Sequence, residues 1–390
     1  MSAKIEPQLL RRLTVRRILE LLQEYGPCSR ADLTRRAAMS APTISKAVDS
    51  LLESGLIEEG EARPSSIGRP ARIVRLAKEK VQVIGVAVDS ARCVLVTAGL
   101  DGSINTDRTL AASTPRSYLA LLDTLETLVR QLIRPEVATV SIGLSVPGLI
   151  RSRAGVSVFS PNLHLTDGRT PARDLQDRLG ISSTLIQETH ALSLAERMYH
   201  SSESLDDFVM LDISTGLGLG VFTGGRLLEG HSGLAGELGH ITIDPHGRLC
   251  GCGNRGCLET VATDMAFATL ISERLGSLHD IESITRMVQQ GELVADVELR
   301  KTCESLSIAI AAAINLFNPA TLLIHGRLFE IQDGLFELTV ELVRRRALAP
   351  SLQDCRIQRA RCTKLQGAVA TAVFSLTDAL GPTLDRSRSY

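Results

Sequence analysis

The chain has 390 residues, 44% of them hydrophobic and 22% charged, with a formal net charge of −1. That length predicts two or three domains, and the ordinary globular composition excludes disorder, collagen-like repeats and a coiled-coil rod. The longest apolar run, residues 308–317, is too short to span a membrane. Eight cysteines in so long a chain do not make a disulfide scaffold. With no secretory apolar core at the N-terminus, they predict reduced thiols and a cytoplasmic location. Aromatic residues are scarce and tryptophan is absent, which argues against nucleic-acid binding by base stacking.

Charge is unevenly spread. Residues 1–80 hold 15 Lys and Arg against 10 Asp and Glu, a net of +5, and the remainder carries −6. A small basic module on a mildly acidic body is the split expected of a DNA-binding head joined to a sensor or enzyme.

From Pro7 to Tyr25, Leu9, Leu10, Leu13, Ile18, Leu19 and Leu22 recur at helical spacing with arginines between them. Gly26-Pro27 stops that helix. Ser29 and Asp32 form a capping box for a short helix over Arg30–Ala38. Ser40 caps a third, Ala41–Ser54, with Pro42 in the first turn, where a missing N–H costs nothing. This spacing predicts a helix-turn-helix whose third helix offers Thr43, Ser45 and Lys46 to base edges. Residues 56–59 and 72–76 read as two strands, and the loop between them makes a wing that carries Arg69 in Gly68-Arg-Pro70, suited to the minor groove. A three-helix bundle used for protein contacts is the alternative.

From residue 81 short apolar runs of strand length alternate with helices such as Ser117–Ile133, so the class is α/β. The strongest local signal is His240 followed by Cys250-Gly-Cys252-Gly-Asn-Arg-Gly-Cys257. Three thiolates and an imidazole fill a tetrahedral Zn²⁺ site with no position left for water, the pattern of a structural metal. His246 is a rival fourth ligand. Asp212-Ile-Ser-Thr215-Gly-Leu-Gly-Leu-Gly220 is a glycine-rich turn between strands that matches neither Walker nor Rossmann spacing. Glu237, three residues before His240, and Glu259, two after Cys257, are carboxylates able to accept hydrogen bonds from vicinal sugar hydroxyls. They also suit an ordinary acidic surface near a metal.

Gly236-Glu-Leu-Gly-His240 with the cysteine loop through Leu258-Glu259 is similar to the signature of the ROK family (repressors, open reading frames, kinases). With the winged helix in front, residues 8–385 resemble that family's transcriptional regulators of the NagC/Mlc/XylR type. The resemblance implies a winged helix-turn-helix over 1–78 and an actin/hexokinase-like pair of α/β lobes, 79–190 with 365–390 and 191–364. It implies a sugar cleft between the lobes and a structural Zn²⁺ on His240, Cys250, Cys252 and Cys257. Carried over by position, the sugar contacts are Asn162, Glu237, His240 and Glu259. Glu188 stands where the kinases carry their general-base Asp, and can still accept a bond from a sugar hydroxyl.

Departures from the kinase pattern point to a sensor. Where family kinases carry Gly-x-Asp-x-Gly-x-Thr for ATP phosphates and Mg²⁺, this chain has Gly85-Val-Ala87-Val-Asp89-Ser-Ala91. The late glycine cluster appears as His325-Gly-Arg327, and Glu188 is longer than Asp. The expectation is a sugar-responsive, non-enzymatic repressor, dimeric or tetrameric, that binds operator DNA. A sugar kinase with an added head is the alternative.

Overall fold

The computed structural model describes residues 7–63, 71–200 and 205–379. The head contains α1 (Pro7–Tyr25), β1 (Cys28–Ser29), α2 (Arg30–Ala37), α3 (Ala41–Glu53), β2 (Ile57–Arg63) and β3 (Ala71–Leu76). Both local starts follow the expected chemistry. Ser29 and Asp32 cap α2 reciprocally, and the Ser40 hydroxyl accepts from the Thr43 N–H at the start of α3. Ile44, Val48 and Leu51 turn into the head's core with Ile18, Leu21 and Leu22. The three-stranded sheet has the order β1-β3-β2, with β1 an element that the sequence pattern did not announce.

The body continues with β4 (Val81–Val88), β5 (Arg92–Ala98), β6 (Ile104–Ser113), α4 (Tyr118–Leu132), β7 (Ala138–Val146), β8 (Leu149–Arg151), β9 (Val156–Phe159), α5 (Pro171–Leu179), β10 (Ser183–Gln187) and α6 (Glu188–Tyr199). A second series follows: β11 (Phe208–Asp212), β12 (Gly218–Thr223), β13 (Arg226–Leu227), α7 (Asp264–Leu275), α8 (Ile281–Gln289), α9 (Asp296–Phe317), β14 (Thr321–His325), α10 (Leu335–Arg344), α11 (Ala349–Gln353), β15 (Arg356–Arg359) and α12 (Lys364–Ala379). The two large sheets repeat one plan. Orders β10-β7-β4-β5-β6 and β13-β12-β11-β14-β15 each combine an antiparallel three-strand meander with two parallel strands.

Helices α4 and α5 cover one face of the first sheet, burying Leu121, Leu125 and Leu175 against Ile84, Val86 and Leu144. The opposite face receives α12, the last described helix. A Cβ at Gly143 would lie 2.1 Å from the Ala368 carbonyl, so only glycine allows this approach. Val369, Ala372 and Val373 of α12 share one core with Leu19 and Leu22 of α1, joining head to body. The second sheet packs on α7 and α9 through Phe267, Ile271, Leu306 and Ile310. Among the described residues no helix is long and apolar enough to cross a membrane.

Candidate functional site

The site forms where the loop after β11 meets turns from both halves of the body. Gly216 lies beside two predicted contacts: a Cβ there would stand 3.1 Å from Glu259 Oε2 and 3.4 Å from Asn162 Nδ2. Gly218, two residues on, abuts Thr189 at the start of α6. Asn162 is exposed, while Glu237 and Glu259 are half-buried. His240 stands between the two carboxylates, its Nε2 3.7 Å from Glu237 Oε2 and its Nδ1 3.6 Å from Glu259 Oε1. Burial raises the Glu237 carboxyl above its ordinary range; His240 opposes this and Glu259 adds to it. Convergent carboxylates, an imidazole and an amide suit a polyhydroxylated ligand.

The cysteine loop is tight because Gly256 has φ +67°, and a Cβ there would run into the Asp244 carbonyl. Cys252 and Cys257 Sγ are 3.7 Å apart, and Cys250 Sγ is 3.6 Å from His240 Nδ1. All four donor atoms lie within 4.8 Å of one another. A tetrahedron with Zn–S near ~2.3 Å and Zn–N near ~2.1 Å has edges of roughly 3.6–3.8 Å. The donor set therefore fits such an ion, with His240 rather than His246, which is exposed and outside the cluster.

Glu188 is held differently from the other predicted contacts. Its Oε2 accepts from Lys364 Nζ at 2.7 Å, and the same ammonium lies 3.2 Å from Asp212 Oδ2. Asp212 Oδ1 in turn meets His325 Nδ1 at 2.9 Å and accepts from Ser214. Burial raises the Glu188 carboxyl. Asp212 is held well below the carboxylate range because Lys364 and His325 outweigh its burial. Lys364 escaped sequence reasoning, and Asp212 and His325 entered it only as ends of glycine-rich motifs, with no partner assigned. The one available signal was a lysine opening an otherwise apolar helix.

The altered phosphate motif is also spoken for. Asp89 Oδ1 accepts from the N–H groups of Ala91 and Arg92, closing the β4–β5 hairpin. Its carboxylate is thus a turn-forming group. After His325, the N–H groups of Arg327 and Leu328 donate to Asp264.

On the head, Thr43 and Lys46 are exposed near the start of α3. Ser45 Oγ accepts from Arg30 Nη1 at 2.9 Å, and Arg30 also pairs with Asp49 at 2.8 Å. Arg69 lies outside the described residues.

Residues 83–377 match the ROK family, and residues 11–58 match a winged helix-turn-helix DNA-binding family. The chain is 26% identical over 360 residues to the DNA-binding transcriptional dual regulator NagC of Escherichia coli K12, covering 87% of this chain and 86% of that one. It is 30% identical over 320 residues to the xylose repressor of Bacillus subtilis 168, covering 80% and 82%. The crystal structure of a ROK family transcriptional regulator, a homolog of the E. coli Mlc protein, superimposes with a TM-score of 0.80 at 27% identity. That match covers 95% of this chain and 98% of that one.

Proposed function

The chain belongs to the ROK family, and on that premise we propose that it is a DNA-binding transcriptional repressor whose body senses a sugar or sugar derivative. One observation carries this reading: a winged helix-turn-helix and a ROK body share one chain that aligns over 95% of its length with a transcriptional regulator.

In this reading Thr43, Ser45 and Lys46 of α3 address the major groove and Arg69 of the wing the minor groove. Arg30 sets the Ser45 hydroxyl. Asn162, Glu237, His240 and Glu259 hold the sugar hydroxyls, with Glu188 at the edge of the site. Bound Zn²⁺ would supply a closed structural brace on His240, Cys250, Cys252 and Cys257, keeping the loop that bears Glu237 and Glu259 in place. The units are a head over 1–78, one lobe over 79–190 with 365–390, and a second over 191–364. A second copy supplies the other half of the operator contact, in a cytoplasmic homodimer or homotetramer.

The geometry favours sensing over catalysis. Ala87 carries no carboxylate, Asp89 closes a hairpin, and Glu188 is neutralised by Lys364. Such a site lacks a free base and a place for metal-bound phosphates. Helix α12 begins at Lys364 in the site and packs its far half against α1 of the head. It is the element through which a change in the cleft reaches the DNA-binding surface, provided the ligand favours one arrangement.

The test is selection of a binding sequence from random duplex DNA with the full chain, followed by anisotropy titrations over a salt series. Glucose, xylose and N-acetylglucosamine are added in turn. The expected result is a selected, dyad-symmetric sequence, steep salt dependence and a shift in affinity with one sugar. Recovery of no preferred sequence, or ATP-dependent phosphorylation of a sugar, would overturn the reading.

A further inference from the structure

Away from the cleft, the C-terminal end of α6 meets the loop that leads into α12. Glu196 and Cys362 are each 2% exposed there. Glu196 Oε1 accepts hydrogen bonds from the backbone N–H groups of Arg361, at 2.6 Å, and Cys362, at 2.8 Å. Its other oxygen, Oε2, faces His200 Nε2 at 3.9 Å, four residues on, where His200 caps the end of α6. The Cys362 thiol lies against the same carboxylate. Donor atoms of the three side chains all fall within 4.8 Å of one another.

A distance of 3.9 Å is too long for a hydrogen bond. It is within about half an ångström of the spacing of a nitrogen and an oxygen ligand sharing one ion, roughly 3.3–3.5 Å for metal–ligand bonds near 2.0–2.2 Å. A simple Glu–His ion pair would draw nitrogen and oxygen to contact. Instead the two amide bonds fix one carboxylate oxygen and leave the other directed at the imidazole. Outer-shell hydrogen bonds orient metal-binding carboxylates in the same way. Sulfur, nitrogen and oxygen donors together select a borderline divalent ion rather than Mg²⁺ or Ca²⁺.

We propose that Glu196, His200 and Cys362 form a second divalent-metal site, for Zn²⁺ or an ion of similar softness, separate from the cysteine loop. Binding exchanges the Cys362 S–H bond for a sulfur–metal bond and releases that proton to solvent. Three protein ligands leave a fourth position, and Glu196 and His200 themselves line a cleft together with Gln358, Arg359 and Arg361. Water or a small anion completes the coordination there. The ion ties the end of α6 to the entry of α12, joining Glu196 and Cys362, which lie 166 positions apart in sequence.

The test uses the full chain loaded with Co²⁺ and passed through a desalting column, read by metal analysis and absorption. The chain should retain one ion more than its His200→Ala and Cys362→Ser variants do. Cys252→Ser should keep the second ion, with the weak thiolate-to-cobalt band of a single sulfur ligand. His200→Ala, altering a part-exposed side chain, should weaken that binding step at least about tenfold and leaves the test open should Cys362→Ser fail to fold. Equal metal content and affinity in the unmodified chain and His200→Ala would overturn the proposal.

Discussion

Lys364 Nζ stands 2.7 Å from Glu188 Oε2 and 3.2 Å from Asp212 Oδ2, so one half-buried ammonium serves carboxylates from the start of α6 and the end of β11. The pair sits where the two sheet systems meet. It also anchors the first residue of the helix that touches the head.

Lys364→Met should leave the buried Asp212 and the largely buried Glu188 carboxylates facing each other without a cation. Removing one partner of a buried pair costs about 3–5 kcal/mol, so urea denaturation should register a loss of that order, with Lys364→Arg far milder. Hydrogen exchange in the folded variant should quicken in α1 as well as around 187–190 and 212–217. An effect confined to the cleft would remove α12 as the link.

Cys252→Ser should lose the ion of the cysteine loop, lower thermal stability and weaken any sugar response together, because that loop carries Glu237 and Glu259. Metal analysis and thermal-shift measurements with the same sugars check this. Protein purified without chelators and free of zinc at this loop would refute it.

Mixed with ATP, Mg²⁺ and each sugar, the chain should show no sugar-dependent hydrolysis above background. Glu188→Gln should alter ligand affinity alone, since Lys364 still pairs with Asp212. A phosphorylated sugar made by the unmodified chain and lost in this variant would make the protein a kinase.

His190 supplies a pH test. Burial holds its imidazole down at about 4, against a weaker opposing pull from Glu229. The folded state therefore binds fewer protons than the unfolded one below the ordinary value of 6.5. Stability from the neutral ring is complete above that value and is lost as pH falls from there toward 4. Relative to His190→Asn, the unmodified chain should forfeit about 3 kcal/mol across this window, measured by denaturation at a series of pH values. A difference that stays flat would show His190 is not kept neutral.

What the sequence determined by itself was everything encoded in short range. The Ser29–Asp32 box, the Ser40 cap before Pro42, the turn between them and the cysteine loop depend on residues a few positions apart. Backbone geometry alone brings such groups together. Spacing alone left His246 as a rival to His240; the family resemblance favoured His240, and the folded chain groups it with the three cysteines. Ser45 was legible as a candidate base contact, yet it is half-buried and its partner Arg30 comes from another helix. The ion cluster was illegible: Lys364 and Glu188 are 176 residues apart, and Asp212 and His325 are 113 apart. They meet only because α12 returns to lie on the glycine floor at Gly143, and because β11 and β14 pair in parallel and bring their last residues level. Periodicity records which face of an element is buried, but it carries no record of which distant element will cover it.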